Sequence, residues 1–396
     1  MSSSDFQKVT EAFSGQGSAL EPPLPSVEKV TILGGGPEAR ALACLCLSEG
    51  ATTTLFSAYG AELNPIRKAG SVTIRGAGPV GTYQVDQAGI PAIRLTAELD
   101  AAVSGADMIF VTGPVLKQRT YSMVLAGHLR DGQVLVLVPG RSLGAIEMAW
   151  YLRVGGETAE VSIVELQDMP FWIRSVGNTL HLSKPPSLAA AVLPSHHTGI
   201  LKALQQFFPD LQPVQNVVRC GFSDASGLVE VVALLCGGPG FPEGGVALPA
   251  GAEPLPVRNV FRKLLGPRHL LLLASLAAER RLVAARWGIR DLPDTETWIE
   301  QYAGSEMGAG SRPLPDESQA VAMIRCAVIG SLVPLVSAAR LAGVEVPVTQ
   351  ALIEMARASL GGDLVNAGRR LDAIGIPTGN LDEARKILEA RAQGNW

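Results

Sequence analysis

A glycine-rich turn near the start of the chain has the residue types and spacing to bind a phosphate-bearing coenzyme. The run Gly34-Gly35-Gly36-Pro37-Glu38-Ala39 has the form Gly-x-Gly-x-x-Ala and follows a strand-like apolar segment at residues 30–33. Gly34 permits a tight turn, Gly36 lets a pyrophosphate approach the backbone, and Ala39 lets the next helix pack on the strand. The first N–H groups of that helix and its dipole favour phosphate. The pattern predicts dinucleotide binding, with a purely structural turn as the alternative.

Two further turns follow strands of the same predicted sheet. Thr112-Gly113-Pro114 comes after a strand at 108–111, and Pro139-Gly140 comes after a strand at 134–138. Ligands of open α/β sheets bind outside the carboxyl ends of the strands. We therefore expect the first turn to pass over the pyrophosphate and the nicotinamide ribose. We expect the second turn, which continues into Arg141-Ser142, to face the nicotinamide.

The choice between NADPH and NADH depends on the end of the second strand. NAD-binding proteins usually place Asp or Glu there to bond the ribose hydroxyls, whereas this chain has Ser57. A hydroxyl does not repel a 2′-phosphate, and Arg40, Arg67 and Lys68 are cations that could meet one. The sequence therefore favours NADPH and leaves NADH as the alternative.

Strands and helices that could position these turns alternate as far as about residue 193. Beyond about residue 214 the pattern is mainly helical, and the segment 237–256 is rich in Gly and Pro and predicts a loop. The predicted fold class is an α/β N-terminal Rossmann-type dinucleotide-binding domain plus a mainly α-helical C-terminal domain. The predicted divisions are a flexible tail at 1–27, the nucleotide domain at 28–213 and the substrate domain at 214–396. Small ligands are expected in the cleft between the two domains.

Composition excludes several other classes of protein. Hydrophobic residues make up 47% of the chain, charged residues 18%, and the net charge is −4, which argues against a nucleic-acid-binding surface. The five cysteines show no Cys/His metal spacing, so no metal site is predicted. The N-terminus lacks the pattern of a signal peptide, and the most apolar stretches are too short to span a bilayer. We expect a soluble, cytoplasmic protein without membrane contact; a homodimer is the commonest assembly to test for.

Several motifs, in order, resemble those of the opine (octopine/nopaline-type) dehydrogenases, over about residues 30 to 376. They are Ile32-Leu33-Gly34-Gly35-Gly36-Pro37, Asn64-Pro65-Ile66-Arg67-Lys68-Ala69-Gly70, Asp131-Gly132-Gln133-Val134 with Val138-Pro139-Gly140-Arg141, Glu165 with Met169-Pro170-Phe171 and Arg174, and Leu332-Val333-Pro334-Leu335 with Leu341-Ala342-Gly343-Val344 and Pro347. The resemblance implies a second domain of the 6-phosphogluconate dehydrogenase type. It also implies a reaction in which an amino acid and a 2-keto acid condense to an imine that NAD(P)H reduces to a secondary amine.

The chain departs from the family where the family carries its acid/base histidine. The family segment Asn-x-Ile-x-His-Pro corresponds to Ser226-Gly227-Leu228-Val229-Glu230-Val231, which puts Glu230 in the place of the histidine. The family's acidic pair near the last long helices is also absent, and Arg325-Cys326-Ala327 stands there. A lone carboxylate in an apolar helix is costly unless it is paired or functional. Glu230 is therefore expected either to have a catalytic or substrate-binding role or to be a satisfied or solvent-facing glutamate.

Two arginines are candidates for holding a substrate carboxylate. Arg174 belongs to the segment similar to the family's Glu…Leu-Pro-Tyr…Arg pattern, and Arg325 lies in an otherwise apolar helix. A guanidinium can bind a carboxylate through two parallel hydrogen bonds. The alternatives are a salt bridge for Arg174 and a core-edge position for Arg325. Glu230, Arg174 and Arg325 together form the predicted catalytic set.

The favoured function is that of an NAD(P)H-dependent oxidoreductase of the opine dehydrogenase type. Its substrate would be a small imine, or an amine and a 2-keto acid that condense in the site. One alternative is a ketone reductase on the same scaffold, similar to ketopantoate reductase. Another is a catalytically silent nucleotide-binding protein.

Overall fold

The computed structural model describes residues 27–237 and 260–396. The predicted N-terminal tail lies outside these ranges except for Val27, and the predicted loop at 237–256 lies outside them except for Gly237.

Twelve strands lie within the described residues. They are β1 (Lys29–Leu33), β2 (Thr52–Phe56), β3 (Ser71–Gly76), β4 (Gly81–Gln84), β5 (Arg94–Thr96), β6 (Met108–Thr112), β7 (Val134–Val138), β8 (Ser162–Leu166), β9 (Trp172–Val176), β10 (Thr179–Ser183), β11 (Leu188–Leu193) and β12 (Leu211–Pro213). Eight of them form one sheet in the order β12-β11-β8-β7-β6-β1-β2-β5. Its strands are parallel except at the β8–β11 pair. The order β5-β2-β1-β6-β7-β8 is that of a doubly wound dinucleotide-binding sheet.

The remaining four strands form a second, smaller sheet in the order β4-β3-β10-β9. The strand-like segments at residues 72–75 and 82–85 of the sequence predict a short hairpin, and the antiparallel pair β3–β4 confirms it. Strands β9 and β10 were not predicted, although Gly177-Asn178 between them is the type of two-residue turn that marks a β-hairpin, and residues 179–183 alternate between polar and apolar types. This sheet brings Phe171 and Trp172 against the end of the larger sheet.

Fifteen helices lie within the described residues. They are α1 (Pro37–Ser48), α2 (Gly60–Ala69), α3 (Leu99–Val103), α4 (Val115–Leu125), α5 (Gly144–Val154), α6 (Thr198–Leu204), α7 (Val217–Ser223), α8 (Ser226–Val231), α9 (Pro267–Arg286), α10 (Thr295–Ala303), α11 (Glu317–Ala327), α12 (Val333–Ala342), α13 (Pro347–Leu360), α14 (Leu364–Ala367) and α15 (Leu381–Ala392). Helix α8 continues through a π-helical turn at Val232–Cys236, and a second such turn, Val328–Leu332, joins α11 to α12. Short 3₁₀ turns occur at Phe261–Leu264 and Asp372–Ile374.

Helices cover both faces of the large sheet, and the predicted fold class is confirmed. One apolar cluster packs α1 and α6 against one face. A second cluster on the opposite face combines sheet residues such as Leu135 with Trp287, Leu335 and Leu388 of the C-terminal helices. A third cluster fills the helical half alone. The helical half is therefore packed directly against the sheet, because the two share the second cluster.

Two helices differ from their predicted bounds for identifiable reasons. The sequence pattern predicts one helix at residues 121–128, but that helix, α4, begins earlier, at Val115, with Pro114 as its N-cap residue. The pattern predicts another helix at residues 257–287; within the described residues this helix is α9, which begins at Pro267, because Gly266 and Pro267 favour a helix start there. The continuous helical stretch Glu317–Ala342 is long and apolar enough to cross a membrane by composition. However, 61% of its most apolar window is buried inside the protein, as expected for a core helix.

Candidate active site

The glycine turn lies tightly against two neighbouring strands. Gly34 adopts a φ of 131°, and its N–H donates to the Phe56 carbonyl across 2.8 Å. A Cβ at Gly34 would collide with the Thr112 hydroxyl, which donates to the Leu33 carbonyl across 2.7 Å. Only glycine combines this backbone angle with this close approach.

Helix α1 begins directly after the turn and is open to an anion. Its N-cap residue is Gly36, and no side chain caps the first turn. The first N–H groups of the helix are thus left for an outside acceptor. A helix N-terminus without a capping side chain, preceded by glycines, fits a pyrophosphate.

A cleft of about 330 Å³ lies between the ends of β6 and β7 and the helical half. Gly113, Pro114, Val138 and Pro139 form its sheet side, and Glu38 of α1 also lines it. The Gln118 amide donates to the Gly113 carbonyl across 3.1 Å and to the Pro139 carbonyl across 2.8 Å. One side chain therefore fixes both strand-end turns relative to each other.

Two arginines hold Glu230 at the bottom of this cleft. Arg312 Nη2 lies 2.7 Å from Glu230 Oε1, and Arg141 Nη2 lies 3.2 Å from Glu230 Oε2. Glu230 is 0% exposed, and both arginines are buried. A buried carboxylate with two guanidinium partners has its charge compensated, which removes the cost expected for a lone carboxylate.

Arg312 is fixed by its surroundings on several sides. It donates to the Tyr302 carbonyl, and its guanidinium lies 4.6 Å from the ring centre of Phe261 and 5.6 Å from that of Trp172. Planar guanidinium groups stack well on aromatic rings. Arg312 is thus oriented before any ligand is present.

Arg141 has hydrogen-bonding capacity left over. The backbone at Arg141 has a φ of 61° and turns sharply after β7. Its Nη1 lies 4.0 Å from the carboxylate of Asp224, and within the described parts of the chain neither Nη1 nor Nε has a hydrogen-bond partner. Buried donors without partners are costly, so they indicate where a ligand acceptor would bind.

Asp168 brings a second carboxyl group to the cleft. Burial raises its pKa to about 6; the charge of Arg141 acts in the opposite direction, and Glu230 adds to the rise. Its Oδ1 accepts from the Met169 N–H across 2.8 Å, while Oδ2 has no partner among the described residues. A carboxyl group that titrates near neutrality, with one free oxygen, can give or take a proton.

A layer of buried polar contacts supports the cleft from below. Asp224 accepts from the Ser142 hydroxyl across 3.1 Å and from the Tyr302 hydroxyl across 3.2 Å. Arg280 donates to the Ser331 hydroxyl across 2.9 Å. These contacts join the turn after β7 to the helical half and hold Arg141 in place.

The structure places one of the three predicted catalytic residues in the cleft. Glu230 lines it, whereas Arg174 is exposed on β9 and lies in an adjoining depression. Trp172, two residues earlier on the same face of β9, lines the cleft, and Arg174 lies further along the strand, beyond it. Arg325 is turned away toward the end of α13, with Nη2 3.4 Å from the Leu360 carbonyl. Its neighbour Cys326 occupies the helix face that lines the cleft.

The region around Ser57 also differs from the prediction. Ser57 is buried and donates to Glu62 Oε2 across 2.6 Å. Glu62 thereby brings a carboxylate to the end of β2, a group that the NADPH prediction took to be missing there. The choice between the two coenzymes stays a prediction. Arg40 lies 3.4 Å from the Ser175 hydroxyl, and Arg67 is paired with Asp86 at 3.2 Å. Neither of these cations is directed at Ser57.

Sequence reasoning missed Asp168 and Arg312 and did not assign Arg141 to the substrate. The turn that carries Arg141 was expected to face the nicotinamide, so the sequence did indicate that this turn lies at the site. Asp168 lies within a segment similar to the family motif, but nothing local marks it as buried. Arg312 stands 82 residues from Glu230 in the sequence, and only the fold brings the two together.

No protein-family model matches the chain. The chain is 25% identical over 207 residues to the opine dehydrogenase of Arthrobacter sp. (strain 1C), covering 52% of this chain and about half, 55%, of that protein. It is 24% identical over 376 residues to the protein ocs of Agrobacterium tumefaciens (strain Ach5), covering 91% of this chain and 99% of that protein. The solved structure of an octopine dehydrogenase in complex with NADH and agmatine shares the fold with a TM-score of 0.66 at 18% identity, covering 93% of this chain and 98% of that one.

Proposed function

We propose that this chain, a divergent member of the opine dehydrogenase family, is an NAD(P)H-dependent oxidoreductase that reduces a C=N bond formed from an amine and a 2-keto acid. The observation that carries the proposal is the cleft in which Arg141, Arg312, Glu230 and Asp168 face the ends of β6 and β7. Open α/β sheets bind their ligands at this edge. The family relationship supports the type of reaction, and the side chains support the roles below.

Residues of the sheet edge would hold the dinucleotide. They are Gly34, Gly35, Gly36, Pro37, Glu38, Ala39, Ser57, Thr112, Gly113, Pro114, Pro139 and Gly140. The uncapped start of α1 suits the pyrophosphate, and the paired turns after β6 and β7 suit the nicotinamide end. The reduced nicotinamide, when bound, supplies a hydride.

Arg141 would bind the carboxylate of the 2-keto acid. Its Nη1 and Nε point into a buried region without a partner among the described residues. A charge-assisted hydrogen bond to a carboxylate oxygen would satisfy either donor. Glu230 and Arg312 then act as positioning residues, because Glu230 bridges the two guanidinium groups and fixes their planes.

Asp168 would handle the proton of the condensation. When a primary amine adds to a ketone, a C–N bond forms and one N–H proton passes to the former carbonyl oxygen. A second proton on that hydroxyl lets the C–O bond break, so that water leaves and a protonated C=N bond remains. Asp168, whose pKa is raised to about 6 by burial, can supply this second proton from Oδ2. In this chain an aspartate from the nucleotide-binding half would do the work that the family assigns to a histidine.

The test is a panel of amino acids and 2-keto acids assayed with NADH and with NADPH. The loss of nucleotide absorbance should require both the amine and the keto acid, and the product should be a secondary amine by mass spectrometry. Oxidation that proceeds equally well without the amine would identify a ketone reductase instead. Tight nucleotide binding without oxidation on any pair, or on any cyclic imine, would identify a silent nucleotide-binding protein.

A further inference from the structure

The acidic side chain beside the glycine turn comes from a helix and not from the strand. Glu62 lies in the first turn of α2, five residues after Ser57. Its Oε2 accepts from the Ser57 hydroxyl across 2.6 Å, and a Cβ at Gly35 would lie 2.6 Å from that same oxygen. The Glu62 carboxylate is therefore packed directly on the middle glycine of the turn.

This position is that of the adenosine ribose in a dinucleotide-binding fold. The carboxylate that bonds the ribose hydroxyls stands about 20 residues beyond the last glycine, at the end of the second strand. Ser57 occupies that place in the sequence. Its side chain is buried and donates a hydrogen bond to Glu62, so the carboxylate beside this position belongs to Glu62.

Glu62 is held in its charged form. Partial burial alone would raise the pKa of Glu62, but hydrogen bonds from Ser57 and the Gly35 N–H, together with the charge of Lys117, outweigh it and lower the pKa. Lys117 Nζ lies 3.3 Å from Glu62 Oε1, so this ammonium is already paired with the carboxylate. The Lys117 ammonium also lies near the rings of Tyr59 and Tyr121, which limits where it can move.

We propose that Glu62 makes the dinucleotide site selective for NADH by accepting a ribose hydroxyl and repelling the 2′-phosphate of NADPH. The proposal rests on the proposed function, because it requires a nicotinamide dinucleotide at the glycine turn. A carboxylate and a phosphate brought close together repel each other, whereas a carboxylate and a hydroxyl form a hydrogen bond. Removal of the carboxylate would also release Lys117 to pair with a phosphate.

The experiment measures the dissociation constants of NADH and NADPH by calorimetry for the full chain and three variants. The wild type should bind NADH at least about tenfold more tightly than NADPH, a ratio that a single charge near a phosphate can produce. Glu62→Gln should reverse the preference by strengthening NADPH binding and weakening that of NADH. Lys117→Met should keep the preference for NADH, because the carboxylate remains.

Glu49→Gln is the matched control. Glu49 is an exposed glutamate at the opposite end of α1, and this substitution removes the same charge far from the turn. It should leave both dissociation constants unchanged. A change in selectivity equal to that of Glu62→Gln would show that the effect is one of net charge and would overturn the proposal.

The remaining outcomes separate this inference from the proposed function. Equal or tighter binding of NADPH by the wild type, or an unchanged preference in Glu62→Gln, overturns the role of Glu62 and leaves the oxidoreductase intact. Failure of the wild type to bind either nucleotide overturns the proposed function, and the role of Glu62 with it.

Discussion

Arg141 and Glu230 form an ion pair across the boundary between the two halves of the molecule, with Nη2 and Oε2 3.2 Å apart. Arg141 belongs to the turn after β7, and Glu230 belongs to α8 of the helical half. Both are buried, so neither charge has water to compensate it. The cleft is thus built from two distant parts of the chain that depend on each other's charge.

Arg141→Met should impair substrate binding more than nucleotide binding. The variant loses the charge-assisted hydrogen bonds proposed for the substrate carboxylate, which are worth about 2–3 kcal/mol, or about 30- to 150-fold in kcat/KM. The loss should appear mainly in KM for the keto acid. NADH binding by calorimetry should change by less than about twofold, because the coenzyme is proposed to bind at the backbone turns. Arg141→Lys retains the charge near Glu230 and should recover part of the activity; an unchanged KM in Arg141→Met would refute the assignment.

Asp168→Asn should remove the fall in kcat/KM that is expected as the pH rises through about 6. Burial raises the pKa of Asp168 from 3.8 to about 6, so the group carries its proton below that pH and loses it above. If the protonated form assists condensation, kcat/KM for the amine and keto acid should fall as the pH rises through about 6. The variant should lack this limb and be slower at low pH. A cyclic imine needs no condensation, so its reduction should be much less affected; equal losses on both substrates would contradict the proposed role.

Gly34→Ala should abolish dinucleotide binding. The new methyl group would be forced against the Thr112 hydroxyl at a φ of 131°. Gly50→Ala is a suitable control, because Gly50 also has a positive φ, of 87°, but a Cβ there meets nothing within 4 Å. The control should lower the free energy of unfolding by about 1 kcal/mol and keep nucleotide binding. Retention of NADH binding by Gly34→Ala, measured by calorimetry, would contradict the site.

Glu165→Gln should stabilise the protein at alkaline pH. Burial raises the pKa of Glu165 from 4.5 to about 8, although the Ala145 N–H and the charge of Arg369 act to lower it. The folded protein keeps a proton that the unfolded chain releases, so the stability from the protonated form is complete below pH 4.5 and is lost as the pH rises to about 8.

The amide of Glu165→Gln is neutral at every pH and avoids this loss. The advantage of the variant in urea unfolding should therefore grow between about pH 5 and about pH 8, to an order of a few kcal/mol. Glu49→Gln should show no such trend. An advantage that is the same at both pH values would show that desolvation of Glu165 is not the cause.

The sequence by itself determined the features that depend on neighbouring residues. The glycine turn, the strands Thr52–Phe56 and Val134–Val138, and the change to helices after the last strand follow from residue types and hydrophobic period. Glu230 could be identified as a candidate site residue because a carboxylate in an apolar helix is unusual, whatever that helix packs against. The strands β9 and β10 carry a local hairpin signal at Gly177-Asn178, which the prediction overlooked.

Only the tertiary structure decided which charged groups meet. Arg312 reaches Glu230 across 82 residues of sequence, and Glu62 reaches the end of β2 because α2 folds back over the glycine turn. Arg174 and Arg325 were plausible by type, yet the position of Arg174 along β9 and the rotation of the helix that carries Arg325 place them outside the cleft. The direction of a side chain and the burial of its charge are set by long-range packing, which residue order does not encode locally.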